Sequence, residues 1–75
     1  MIIKRNFGND YYGNLIIQNY PNLQSIIVKK NSLKNLNSLK ICNCEKLKTI
    51  EIEDWSFKNV KKVIIESISV ILFYN

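Results

Sequence analysis

The chain contains no histidine and no alanine, and only one proline, two glycines and two cysteines in 75 residues. Without histidine it lacks the commonest general base and the commonest metal ligand. Cys42 and Cys44 supply half of a four-ligand structural metal site, and no second pair completes it. Gly8 and Gly13 are isolated, so there is no G-x-G-x-x-G phosphate loop, and no nucleophile elbow is present. No apolar run approaches the roughly 20 residues of a membrane helix. The longest stretch, Ile64 to Tyr74, is interrupted by Glu66, Ser67 and Ser69. The opening Met1-Ile2-Ile3-Lys4-Arg5-Asn6 places basic residues after apolar ones, the reverse of a secretory signal. With two thiols and no disulfide framework, that weighs toward a reducing, cytoplasmic compartment. A mass of 8.8 kDa leaves room for one domain, residues 1–75, and no separate cofactor domain.

What is present is repetition. Residues 14–36, NLIIQNYPNLQSIIVKKNSLKNL, and 38–60, SLKICNCEKLKTIEIEDWSFKNV, match at an offset of 24. Identical pairs include Leu15/Leu39, Ile17/Ile41, Asn19/Asn43, Leu23/Leu47, Ile26/Ile50, Ser32/Ser56 and Asn35/Asn59. Six apolar slots recur in three coils. They are Tyr12, Leu15, Ile17, Tyr20, Leu23 and Ile26; then Leu36, Leu39, Ile41, Cys44, Leu47 and Ile50; then Val60, Val63, Ile65, Ile68, Ile71 and Tyr74. Within each coil Leu-x-Ile and Ile-x-Val alternate with a period of two and are rich in β-branched residues, which predicts strands. No i, i+3, i+4, i+7 stripe of good helix formers competes. The frame gives coil 1 over residues 12–35, coil 2 over 36–59 and a partial coil 3 over 60–75. Residues 1–11 fit poorly: Ile2 falls in register with Ile26, but Asn9 falls where Leu33 and Phe57 sit, so this stretch is expected to be a partial or frayed coil.

The run Leu36-Asn-Ser-Leu39-Lys-Ile41-Cys-Asn-Cys44-Glu-Lys-Leu47-Lys-Thr-Ile50 reads L-x-x-L-x-I-x-x-C-x-x-L-x-x-I and resembles a leucine-rich repeat. Ser56-Phe57 ahead of the next strand is similar to the BspA-like type of that family. Tyr20 and Ile68 depart from the slot usually held by Asn or Cys, and no capping segment is evident. The resemblance implies a mainly β solenoid of about three coils with strands on both faces of each coil, a continuous core, and a concave face that binds partners. In that register Asn14, Ser38 and Lys62 form one exposed column of the concave sheet; Ile16, Lys40 and Ile64 form a second, and Gln18, Cys42 and Glu66 a third. These nine residues are the candidate binding face. The plainer reading is that they are solvated strand positions; Ile16 and Ile64 beside charges favour contact.

Other chemistry finds less support. The frame makes Cys44 a buried small hydrophobe and leaves Cys42 exposed. Glu51, Glu53 and Asp54 are explained by stacking of Lys29 and Lys30 against Glu53 and Asp54 one coil away. Eleven cations against six anions give a net charge of +5. Lys34 and Lys58 share a column, and Lys46, Lys48, Lys61 and Lys62 lie near one another, with Tyr11, Tyr12 and Trp55 available to stack bases. Ten of the eleven cations are lysine, however, and no nucleic-acid motif occurs. Isoleucine, lysine and asparagine make up nearly half the chain, a composition that AT-rich coding produces without any partner.

The sequence therefore points to a non-enzymatic module for protein–protein recognition, without cofactor or metal, and a section of a longer array. The alternatives are a small basic nucleic-acid binder and a nonfunctional piece of a repeat gene. A slab of three coils leaves apolar slots bare at both ends, which opens it to self-association there and makes it marginal alone. A compact globule of this mass would expose roughly 4,800 Å².

Overall fold

Strands form where the period-two alternation of β-branched residues predicts them. The structure is a computed structural model that describes residues 1–66 and the backbone of Ile71–Tyr74. Seven strands occur: β1 (Ile2–Ile3), β2 (Asn14–Gln18), β3 (Ser25–Val28), β4 (Ser38–Cys42), β5 (Thr49–Ile52), β6 (Lys62–Glu66) and β7 (Ile71–Tyr74). The protein is mainly β, and no helix occurs among the described residues. Odd-numbered strands form sheet A in the order β1-β3-β5-β7; even-numbered strands form sheet B in the order β2-β4-β6. Every neighbouring pair is parallel. Parallel strands need a crossover, and here each crossover passes through a strand of the other sheet.

The corners between sheets are set by backbone conformation. Asn6, Asn31 and Trp55 have φ of 62°, 62° and 66°; Gly8, Leu33 and Phe57 have 70°, 49° and 54°; Asn19 and Asn43 have 64° and 52°. These are three columns of left-handed residues, one residue per repeat, at the bends where the chain changes sheet. Asparagine and glycine occupy that region at low cost, and other L-residues do not. Leu33 and Phe57 are held there by burial, at 4% and 3% exposure.

The 24-residue frame holds from β2 to β6 and slips at each end. Asn14 pairs with Ser38 and Ser38 with Lys62, and Ile26 pairs with Ile50. Ile2, however, pairs with Ile27 rather than Ile26, and Gly8, not Asn9, takes the Leu33/Phe57 column. The first repeat is thus one residue longer. The hydrogen bonds locate the addition. Tyr11, Leu36 and Val60 each donate a backbone N–H to the residue three before, and Asn37 N–H donates to Gly13 O. Tyr11 therefore occupies the column of Leu36 and Val60, Gly13 that of Asn37, and Tyr12 is the inserted residue, 69% exposed rather than in the apolar slot the frame assigned it. At the other end Ile50 pairs with Leu72 rather than Tyr74, so β7 follows β6 two residues sooner than β5 follows β4. Ile68 lies outside the described residues.

Sheets A and B face each other across one core of Ile17, Ile26, Val28, Leu33, Leu36, Leu39, Ile41, Cys44, Leu47, Ile50, Ile52 and Phe57. All six slots of the middle coil are buried. In the outer coils Tyr20 and Val63, assigned to the same slots, are 51% and 48% exposed, because each lacks a neighbouring repeat on one side. Ser32 and Ser56 are also buried. Ser32 Oγ donates to Lys29 O at 2.6 Å and Ser56 Oγ to the same carbonyl at 2.7 Å, while Ser32 N–H donates to Ser56 Oγ at 3.3 Å. The small hydroxyl fits between stacked corners and satisfies backbone groups that would otherwise be buried unpaired. The whole molecule exposes 5152 Å², slightly more than the compact value, so its open ends add little surface.

Candidate functional site

Sheet B presents the nine residues singled out from the sequence. In β4, Leu39 and Ile41 are buried while Ser38, Lys40 and Cys42 are half-buried, so the pleat sends the first pair inward and the other three outward. The pairing brings Asn14, Ser38 and Lys62 into one row, Ile16, Lys40 and Ile64 into a second, and Gln18, Cys42 and Glu66 into a third. Ser38 Oγ donates to Asn14 Oδ1 at 2.7 Å, and Asn37 Nδ2 donates to the same oxygen at 3.1 Å. Cys42 Sγ lies 3.5 Å from Gln18 Oε1 as donor to acceptor, and that contact leaves the thiol half-buried rather than exposed. Lys40 Nζ is 3.9 Å from Glu66 Oε1, with both side chains solvated, so this pair contributes at most about 1 kcal/mol. Ile16 is 55% exposed and Ile64 half-buried, on either side of the Lys40 stem.

The opposite face escaped the sequence reading. On sheet A the outward positions are Ser25, Ile27, Thr49 and Glu51, with Ile2 continuing the Ile27 column. Ile2 is 63% exposed. The one-residue slip hid this column, since the 24-residue frame paired Ile2 with the inward-facing Ile26.

Charges elsewhere are spread along the corners. Lys29 Nζ is 3.3 Å from Glu53 Oε2, and Lys30 N–H donates to Glu53 Oε1 at 3.1 Å. The expected stacking of opposite charges is met at Lys29–Glu53; at Lys30 the backbone takes the second carboxylate oxygen. Lys58 Nζ sits 5.7 Å from the Trp55 ring centre, and that indole is 66% exposed. Cys44 is buried, its Sγ donating to Cys42 O at 3.4 Å, and both cysteines are free thiols. Among the described residues no three His, Cys, Asp or Glu side chains converge as a metal-binding group. An apolar cavity of about 200 Å³ is walled, among the described residues, by Leu39, Ile50, Phe57, Val60 and Val63. The arrangement offers contact surface: an in-register grid of side chains on a parallel sheet.

Comparison of the chain with protein-family models, with curated proteins and with solved structures returns no match.

Proposed function

We propose that this chain is a leucine-rich-repeat solenoid segment, of the BspA-like type, whose sheet-B face recognises a protein partner without catalysis. The reading is supported by the 24-residue spacing of its strands, the left-handed corner columns, and the buried Ser-Leu and Ser-Phe corners. The single observation that carries the binding reading is the middle row of sheet B. Ile16, 55% exposed, and Ile64, half-buried, are apolar side chains on the outward face in register on either side of Lys40. Exposed apolar side chains within a charged rim form the core of many interfaces.

The test is affinity capture by the wild-type chain compared with Ile16→Glu/Ile64→Glu, alongside Glu51→Lys on sheet A as control. The expected result is a discrete set of proteins retained by wild type and by Glu51→Lys and lost from the double variant. Capture unchanged in the double variant would overturn the sheet-B assignment.

A second reading rests on the exposed Trp55–Lys58 pair, which is the kind of aromatic and cation a nucleic acid would use. The two readings separate by salt. Phosphate-driven binding falls by several orders of magnitude between about 50 and about 200 mM salt when many phosphates are contacted, whereas a largely apolar protein contact holds.

A further inference from the structure

We propose that Tyr11 caps the β2 edge of sheet B, and that this cap keeps an extended peptide from adding to the sheet there. The inference concerns the edge of the sheet and is independent of what the sheet-B face binds.

The first observation is which backbone groups the edge leaves open. β2 is the outer strand of sheet B, and among the described residues it pairs only with β4. Gly13 O accepts from Asn37 N–H, and Asn19 N–H donates to Cys42 O. Backbone groups alternate sides along a strand. Those of Leu15 and Ile17 therefore also face β4, whereas the N–H and C=O of Asn14, Ile16 and Gln18 face outward. In the next repeat the same alternation turns the equivalent Ser38 carbonyl back toward β2, where it has a strand to meet. A bare edge of this kind is a template for a further strand.

The second observation is what fills the first of these groups. Tyr11 Oη donates to Asn14 O at 2.7 Å. Tyr11 stands in the column of Leu36 and Val60, yet Leu36 is 0% exposed and Tyr11 is 47% exposed. The phenol has turned from the core to the sheet edge, where its hydroxyl takes the carbonyl that an added strand's N–H would use. Such a strand keeps only Ile16 and Gln18 to bond, too short a pairing to offset the cost of association.

The third observation is the glycine beneath the ring. A Cβ at position 13 would come 2.5 Å from Tyr11 Oη and 2.7 Å from Tyr11 Cζ, and the third-nearest atom also belongs to Tyr11. Gly13 is not among the residues with positive φ, so its backbone does not call for glycine; room for the ring does. The same column holds Asn37 and Lys61 in the later repeats, where a preceding repeat covers the edge instead of a ring. The corner that carries the cap is also the one lengthened by Tyr12.

Hydrogen exchange in the presence of a strand-forming peptide tests this. The probe is a reduced synthetic peptide of residues 37–43, whose strand pairs in register with the other edge of β2. The readout is exchange of the Ile16 and Gln18 amides in the full chain, followed by NMR. Tyr11→Ser removes the ring and Gly13→Ala displaces it. In both variants exchange should slow with added peptide, about tenfold at ten times its dissociation constant. In the wild-type chain it should not change. Gly13→Ala added to Tyr11→Ser should have no further effect, because the ring it displaces is gone. A wild-type chain that responds as the variants do would overturn the proposal, and so would either variant that stays unresponsive. Far-UV circular dichroism checks the fold of each variant; Tyr11→Thr and Gly13→Ser replace either one that loses its strand signal, with the same outcomes expected.

Discussion

Trp55 is the residue least suited to its backbone. It sits at φ 66° in the column where the other two repeats place asparagine. A left-handed conformation costs an ordinary L-residue about 1–2 kcal/mol, and the exposed contact with Lys58 returns about 0.5–1 kcal/mol. Trp55→Asn is therefore expected to raise stability by about 0.5 kcal/mol, read as a higher urea midpoint at unchanged slope; a lower midpoint would mean that the indole packs better than its 66% exposure implies. Strain retained at an exposed aromatic residue fits a surface role. Serine in the next position has the opposite logic. Ser32 and Ser56 are 0% and 1% exposed, and each hydroxyl donates to the buried Lys29 carbonyl at a corner too tight for a larger side chain, which is why the two sequence copies agree there.

At the scale of elements, position in the stack decides how much a given slot matters. Ile41 on β4 is 1% exposed with a strand on each side, whereas Ile65 on β6 is half-buried at an edge. Ile41→Ala is expected to cost about 2–5 kcal/mol and Ile65→Ala about 1 kcal/mol, measured by denaturant unfolding of the two variants; equal losses would mean that the edge strand is covered. This gradient also explains what was legible beforehand. The register of sheet B could be read outright, since Leu15/Leu39 and Ile17/Ile41 recur at one spacing and a one-residue error would turn every apolar side chain outward. The slip at the start was hidden by tandem Tyr11-Tyr12, either of which fits an apolar slot on composition. The shift at β7 was hidden because residues 70–74, Val-Ile-Leu-Phe-Tyr, are apolar in every frame. Burial of the outer slots could not be read either: it depends on neighbours the local pattern does not encode.

For the whole molecule, most backbone contacts join residues far apart in sequence, and among the described residues strands touch only their neighbours within a sheet at the backbone level. Stability should then grade along the stack rather than fall in one block. Native-state hydrogen exchange is expected to find the slowest amides in β4 and β5 and the fastest in β1; uniform protection across all strands would show a single cooperative unit instead. The unequal repeats, one residue long before β2 and two short before β7, carry a different consequence. Both sheets absorb these changes without losing pairing, so the bends work as expansion joints. Genes encoding such a chain can gain or lose single codons there and leave the strands in phase, whereas a single codon gained inside β4 would turn the remaining side chains of that strand onto the wrong surface. Length variation should accordingly concentrate at Tyr11–Gly13 and its equivalents, where Tyr12 stands as an extra residue without a counterpart between Leu36 and Asn37.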